Sequence, residues 1–222
     1  MAFGKRKTPP PGPEDAPLEP ATEPAASVRT HYFMQTSNEG ALADLEDEID
    51  KSIEDGATEI LIVLTSPGGS LLPMLEFYRK LVALPVKLRT HAVGPVASAG
   101  TILMLAGAER SAEPTANFMF HPVSMRLDGP VDAYQSLVIE RRRQLFELTM
   151  HNIYRERTRF DEDTIARFGR EELWFDVSKA IECGVIDRIE RVAVPSSWAR
   201  HYMERVSPED YCGVRFTSPT IR

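Results

Sequence analysis

The feature that most constrains the fold is a run of seven residues, EILIVLT at positions 59–65, that is apolar almost throughout. It is too short for a buried helix and rich in β-branched residues, so it predicts a strand covered on both faces. Helical patterns flank it: apolar side chains recur at steps of three and four in residues 38–53 and again in residues 72–82. This order is typical of a parallel α/β sheet.

The alternation continues toward the middle of the chain. A second strand is predicted at residues 86–93 (VKLRTHAV), a buried small-residue helix at 97–108 (ASAGTILMLAGA) and a third strand at 116–120 (ANFMF). From Pro130, which suits a first helical turn, to about Arg157 the pattern predicts one long helix. Its apolar positions exceed what one stripe against a sheet needs, so we expect this helix to project from the core and meet another subunit.

Shorter elements complete the predicted domain. They are a helix ending near Gly169, a strand at LWF, a helix between Asp176 and Gly184 and a last strand at VIDRI. The first 28 residues hold 7 of the 17 prolines and almost nothing bulky. We therefore expect a disordered leader at residues 1–28, a folded domain at 29–193 and a C-terminal tail without clear periodicity at 194–222.

Composition excludes several classes of protein. The net charge of −7 disfavours a nucleic-acid partner, and no apolar run is long enough to span a membrane or to follow the early GKRK segment as a signal peptide. The two cysteines are too few for a disulfide framework and lack metal-ligand spacing. We expect a soluble cytoplasmic protein that has no nucleic-acid or membrane partner, no metal and no organic cofactor.

Two small-residue segments follow predicted strands, where the carboxyl ends of a parallel sheet usually build a site. In SPGGS, residues 66–70, the glycines can expose backbone N–H groups to an oxyanion, although the same residues also form ordinary turns. In VASAG, residues 96–100, Ser98 opens a buried helix whose dipole would stabilise a nearby oxyanion. A serine that merely saves space is the alternative at that position.

A nucleophilic serine needs a base, and His121 is the best placed of the five histidines. It directly follows the strand NFMF and precedes Pro122, so it lies at a strand end, where the site is expected. A purely structural histidine remains an alternative.

Together these segments resemble the proteolytic subunit of the Clp protease. Four stretches carry the resemblance, in the same order and at similar spacing: LTSPGGS, GPVASAG, AGAERSAEPTANFMFHPV and VSKAIECGVIDRI. It covers about residues 30–190 and implies a serine peptidase with a ClpP-like, crotonase-related α/β fold: a repeated ββα spiral core and a long projecting handle helix. It also implies a homo-oligomeric ring, a heptamer or a double-ring tetradecamer, fed by a separate AAA+ unfoldase.

The resemblance assigns roles residue by residue. Ser98 matches the nucleophile, His121 the general base, and Gly69 and Ala99 the oxyanion-hole donors. The family's third triad residue, an aspartate, falls on Glu172, with Glu171 and Asp176 as rivals. Extended substrate would lie beside SPGGS and the segment after His121, which implicates four further positions in substrate binding: Gly68, Ser70, Pro122 and Val123.

Several positions depart from the family pattern. The family's histidine usually precedes Gln-Pro, whereas this chain has HPVS, and Ala99 replaces a common methionine. The N-terminal stretch that helps to dock the ATPase is not recognisable in residues 1–29. Two alternatives therefore stay open: a catalytically inactive structural or regulatory subunit, and a crotonase-like acyl-CoA hydratase or thioesterase.

Overall fold

The computed structural model describes residues 27–125 and 129–194. Seven strands and six helices follow one another in these ranges: β1 (Val28–Met34), α1 (Glu39–Glu54), β2 (Glu59–Ser66), α2 (Leu71–Val82), β3 (Lys87–Ala97), α3 (Ala99–Ala106), β4 (Glu109–Ala112), β5 (Asn117–Phe120), α4 (Ala133–Arg157), α5 (Glu162–Phe168), β6 (Leu173–Asp176), α6 (Val177–Glu182) and β7 (Arg188–Ile189). The predicted α/β fold with a largely parallel sheet is confirmed.

The strands form one sheet in the order β1-β2-β3-β4-β7, with β5 and β6 branching from β3. Side chains of β2 alternate between two apolar clusters, as a strand covered on both faces requires. Ile60, Ile62 and Leu64 pack with the helices in the main core. Leu61 and Val63 face a smaller cluster on the opposite side of the sheet. Each fully buried aliphatic side chain of this kind contributes roughly 1.5–3 kcal/mol.

Strand β3 divides the sheet and thereby positions the site. Its first half pairs in parallel with β4 through Arg89–Ala92, and its second half pairs in parallel with β5 through Pro95–Ala97. The residues that follow β3 and β5 therefore emerge side by side at the same sheet edge. Strand β6 closes this branch by pairing antiparallel with β5.

An aromatic cluster lies directly behind that edge. The ring of Phe120, the last residue of β5, contacts four other rings at centroid distances of 4.8–5.4 Å: Tyr154, Phe160, Phe168 and Phe175. These rings come from α4, α5, β6 and the turn that joins the two helices. Aromatic pairs add about 0.5–1.5 kcal/mol each beyond their buried area, so the strand end before His121 is held firmly.

Helix α4 is buried only near its C-terminal end, at Met150, Ile153 and Tyr154. The rest of the helix exposes large apolar side chains, namely Tyr134, Leu137, Val138, Leu145 and Leu148. Asp132 begins the helix, accepting a hydrogen bond from the Gln135 N–H while the Gln135 side chain accepts one from the Asp132 N–H. Pro130 therefore precedes the helix cap, and the prediction that it lies in the first helical turn is wrong.

Other boundaries also differ from the sequence predictions. The sequence patterns do not predict strands β1 and β4. Strand β1 begins at Val28, the last residue of the predicted leader. The predicted strand VIDRI pairs over Arg188–Ile189 alone. Except for its last two residues, the predicted leader lies outside the described residues, as does the predicted tail beyond Val194.

Candidate active site

Ser98 occupies a sharp turn between β3 and α3. Its N–H continues the β3–β5 ladder by donating to the Met119 carbonyl at 2.9 Å. Its φ of 54° and ψ of −128° make it the one non-glycine residue with positive φ in the described ranges. Such a conformation costs of the order of 1–3 kcal/mol and persists where surrounding structure enforces it. In α/β-hydrolases, strained strand-to-helix turns present the nucleophile.

His121 meets this serine because β5 runs parallel to the end of β3. The Ser98 Oγ and the His121 Nε2 lie 2.7 Å apart, within hydrogen-bond distance. In this arrangement the imidazole can take the hydroxyl proton. The structure thus brings together the two residues predicted as nucleophile and base. They follow β3 and β5, which are separated in the chain by α3 and β4.

The environment of His121 keeps its imidazole neutral. Burial lowers the pKa of His121 below its ordinary value, and the negative charge of Glu172 opposes this effect. A neutral imidazole at pH 7 is the form that can accept a proton. The site therefore holds its histidine in the state that a general base requires.

The SPGG loop contacts Ser98 through Gly68. A β-carbon on Gly68 would lie 2.6 Å from the Ser98 Cβ and 2.8 Å from the Ala97 carbonyl oxygen, and the φ of Gly68 is +94°. Both constraints require glycine at this position. The close approach of the loop therefore depends on the absence of a side chain.

Two backbone N–H groups beside Ser98 can serve an oxyanion. The Gly68 carbonyl and the Ser70 N–H pair with Ser37, so the N–H of the intervening Gly69 points away from that bridge. Ala99 is the first residue of α3, and the N–H of a first helical residue has no acceptor within its helix. Gly69, Ser98, Ala99 and His121 line one small pocket of about 40 Å³.

The three candidate carboxylates differ in what they contact. Glu171 pairs with Arg167 at 2.6 Å, and Asp176 caps α6 by accepting from the Lys179 N–H at 2.8 Å. Glu172 is the carboxylate whose charge acts on His121. Within residues 27–125 and 129–194, however, no hydrogen bond joins the His121 Nδ1 to a carboxylate.

The predicted substrate-binding residues separate into two groups. Pro122 and Val123 line the same pocket as Ser98. Gly68 packs under Ser98 instead, and Ser70 pairs its N–H with the Ser37 carbonyl at 2.7 Å.

The pocket also contains residues that the sequence did not reveal. Leu71, Ser124 and Met150 complete its lining. Met150 comes from the far end of α4, and nothing in its local pattern signals that the helix returns to the Ser98 turn.

The part of the chain that the structure describes contains neither a membrane-spanning helix nor a metal-binding cluster. None of its helices combines the length and apolar character that crossing a bilayer requires. Its histidines, cysteines and carboxylates form no cluster of three or more with the arrangement of a metal site.

Comparison with known proteins places this geometry in a family. The model of the Clp protease family matches residues 49–193. The chain is 35% identical over 143 residues to the ATP-dependent Clp protease proteolytic subunit 1 of Streptomyces avermitilis, covering 62% of this chain and 64% of that protein. It is 32% identical over 143 residues to proteolytic subunit 3 of Streptomyces coelicolor, with the same coverage.

A mycobacterial relative shows a weaker likeness. The chain is 28% identical over 141 residues to the ATP-dependent Clp protease proteolytic subunit 1 of Mycobacterium bovis, covering 61% of this chain and 68% of that protein. The matched region spans less than two thirds of the length of the two Streptomyces proteins. Because the family model covers well over half of the chain, and the four sequence stretches that suggested this family all fall within it, the chain belongs to the Clp protease family.

Proposed function

We propose that the protein is a serine endopeptidase that cleaves peptide bonds at Ser98. The observation that carries the proposal is the 2.7 Å contact between the Ser98 Oγ and the His121 Nε2, in a pocket that also contains Gly69 and Ala99. A nucleophile, a base and an oxyanion site within one pocket are the minimum set for acyl transfer.

The steps follow from this arrangement. The neutral His121 takes the Ser98 proton as the serine oxygen bonds to the scissile carbonyl carbon, and the N–H groups of Gly69 and Ala99 stabilise the oxyanion. The protonated His121 then gives its proton to the leaving amine, and the C–N bond breaks. Water, deprotonated by His121, releases the acyl group and regenerates Ser98. The chemistry requires no metal or organic cofactor.

Glu172 is the third member of the triad in this proposal. It would accept from the His121 Nδ1–H and stabilise the imidazolium as it forms. Its charge acts on His121, whereas Glu171 pairs with Arg167 and Asp176 caps α6. Glutamate reaches farther than the family's aspartate, which suits a residue that begins outside hydrogen-bond range.

The substrate would bind as an extended strand. Pro122 and Val123 lie in the pocket with Gly69, which presents its backbone on the side away from Ser37. Backbone pairing at these positions would recognise main chain more than side chain, which gives broad peptide specificity. Gly68 and Ser70 support the loop from behind.

The working assembly would be a homo-oligomeric ring, a heptamer or a stacked pair of heptamers. The exposed apolar side chains of α4 support a role for this helix as the handle between subunits. The names of the relatives describe ATP-dependent proteases, and SPGG lacks the Lys-Ser/Thr pair of a phosphate-binding loop, so ATP use would belong to a separate AAA+ unfoldase. A cytoplasmic location remains a prediction.

One observation favours a second candidate function. No carboxylate engages the His121 Nδ1 within the described ranges, which is what a structural or regulatory subunit with decayed chemistry would also show. That candidate predicts an intact oligomer without hydrolysis.

The experiment measures cleavage of unfolded casein and of short fluorogenic peptides by the full chain, with the Ser98→Ala and His121→Ala variants and the oligomer mass measured in parallel. We expect slow peptide cleavage by the wild type and none by either variant. Hydrolysis that survives Ser98→Ala would contradict the proposal, and acyl-CoA turnover by that variant would favour the crotonase-like alternative. A well-folded oligomer that cleaves neither substrate would indicate the inactive subunit.

A further inference from the structure

A half-exposed tryptophan contacts Glu172, the carboxylate proposed as the third member of the triad. The Trp174 Nε1–H donates to the Glu172 Oε1 at 2.6 Å. The Trp174 side chain is 45% exposed, although it lies on a strand that packs against the aromatic cluster. Burial of the ring therefore does not explain why a residue of this size stands beside Glu172.

The register of β5 and β6 explains why Trp174 and His121 can both reach Glu172. Trp174 lies opposite Met119 and Leu173 lies opposite Phe120 in this antiparallel pair. One step farther, where the ladder ends, Glu172 falls opposite His121. Because side chains alternate along each strand, Glu172, Trp174, His121 and Met119 share one face of the pair.

The Glu172 side chain is less restrained by the backbone than that of an aspartate within the strand would be. It lies just beyond the end of the ladder and is exposed to solvent, so the backbone does not fix its side chain. A glutamate also has one more rotatable bond than an aspartate, and ordering it costs conformational entropy. The hydrogen bond from Trp174 occupies one carboxylate oxygen, Oε1, and leaves Oε2 for the His121 Nδ1–H.

We propose that Trp174 is a positioning residue that holds the Glu172 carboxylate over His121 through its indole N–H. The inference rests on the proposed serine peptidase function. It gives the glutamate at the third triad position a fixed orientation, because the indole N–H holds one of its carboxylate oxygens.

The test is a double-mutant cycle with Trp174→Phe and Glu172→Gln, each alone and combined, in the full chain. Phenylalanine keeps an aromatic ring on β6 but removes the N–H. We expect Trp174→Phe to lower kcat/KM roughly 3- to 10-fold, the range for loss of one partly exposed hydrogen bond. In the Glu172→Gln background the same change should have little further effect.

The pH profile separates positioning from packing. The Glu172 charge raises the pKa of His121, so weakening its hold should lower that pKa further. The acid limb of kcat/KM, where His121 becomes protonated, should then move to lower pH in Trp174→Phe, in the same direction as in Glu172→Gln. A loss of packing would reduce activity without moving the limb.

Two outcomes would overturn the inference while leaving the peptidase intact. One is an equal loss of activity from Trp174→Phe with or without Glu172, which would mean that the ring acts by packing. The other is a gain of activity, which would mean that Trp174 holds Glu172 away from His121. Absence of hydrolysis in the wild type would contradict the proposed function itself, so the two failures are distinguishable.

Discussion

Ser98 and Ser52 each form a hydrogen bond with a histidine, but the backbone around the two serines differs. The Ser52 Oγ lies 3.1 Å from the His31 Nε2, and the His31 Nδ1 lies 3.2 Å from the Glu48 Oε2. Judged by hydrogen bonds alone, Ser52, His31 and Glu48 are the more complete Ser-His-carboxylate set. Ser98 has a shorter contact to its histidine, but within residues 27–125 and 129–194 that histidine makes no hydrogen bond to a carboxylate.

The backbone accounts for the difference. Ser52 lies near the end of α1 in ordinary helical conformation, where its own N–H and those of its neighbours are engaged within the helix. Ser98 lies at a strained turn beside the N–H of Ala99. The glycine loop packs so closely against it that a β-carbon on Gly68 would lie 2.6 Å from the Ser98 Cβ. We infer that a strained turn beside an oxyanion site indicates a nucleophilic serine better than a complete set of side chains does.

Removing each serine hydroxyl in turn should give the largest difference in activity between the two regions. We expect Ser98→Ala to lower kcat of peptide hydrolysis by at least about 10⁴-fold, the scale for loss of a serine nucleophile. Ser52→Ala should change kcat less than about twofold, since it removes one partly buried hydrogen bond of a residue that does not line the pocket. Steady-state hydrolysis of a fluorogenic peptide measures both. Equal losses would mean that the two serines are not functionally distinct.

The next largest loss of activity is expected from a substitution in the SPGG loop. Gly68→Ala places a methyl group against the Ser98 Cβ and the Ala97 carbonyl, and the displaced loop should cost roughly 10²- to 10³-fold in kcat, as loss of an oxyanion donor does. Gly56→Ala is the matched control, because Gly56 also has positive φ, +88°, but has open space where the β-carbon would lie. If both variants lose activity equally, backbone strain rather than the approach to Ser98 is responsible.

The smallest expected effect is on stability, and its sign differs between the two serines. Relative to alanine, glycine at position 98 should stabilise the fold by about 1–3 kcal/mol, because the positive φ of Ser98 is strained for any residue with a β-carbon. Glycine at position 52 should destabilise it by about 1 kcal/mol relative to alanine, because that position is helical. Urea unfolding of the four variants measures both differences. The same sign at both positions would contradict the assignment of strain to the Ser98 turn.

Much of the fold follows from the sequence where a pattern is strongly periodic. The apolar run of β2 and the helical spacing of α1 and α2 predict those elements closely. Strand β4 was not predicted because its residues are largely polar and lack the usual apolar pattern. Its first residue, Glu109, forms ion pairs with Lys87 and Arg188 on neighbouring strands. Its strand character comes from tertiary pairing, which a local pattern does not contain.

The proximity of Ser98 and His121 could be predicted from the sequence, whereas the contacts of Trp174 and Met150 could not. Ser98 and His121 each follow a predicted strand, so the rule that sites form at the carboxyl ends of parallel strands brings them together. The contact between Trp174 and Glu172 depends on the antiparallel register of β6 against β5, and the contribution of Met150 depends on where α4 ends. Both are consequences of three-dimensional packing and leave no mark on local spacing.

Whether Ser98 is the reactive serine can be determined by labelling the full chain with a fluorophosphonate and identifying the modified serine by mass spectrometry. We expect a single adduct on Ser98 that disappears in His121→Ala and persists in His31→Ala. An adduct on Ser52, or labelling of Ser98 that does not require His121, would contradict it, because the reactive serine would then not be the one that the strained turn and the glycine loop present.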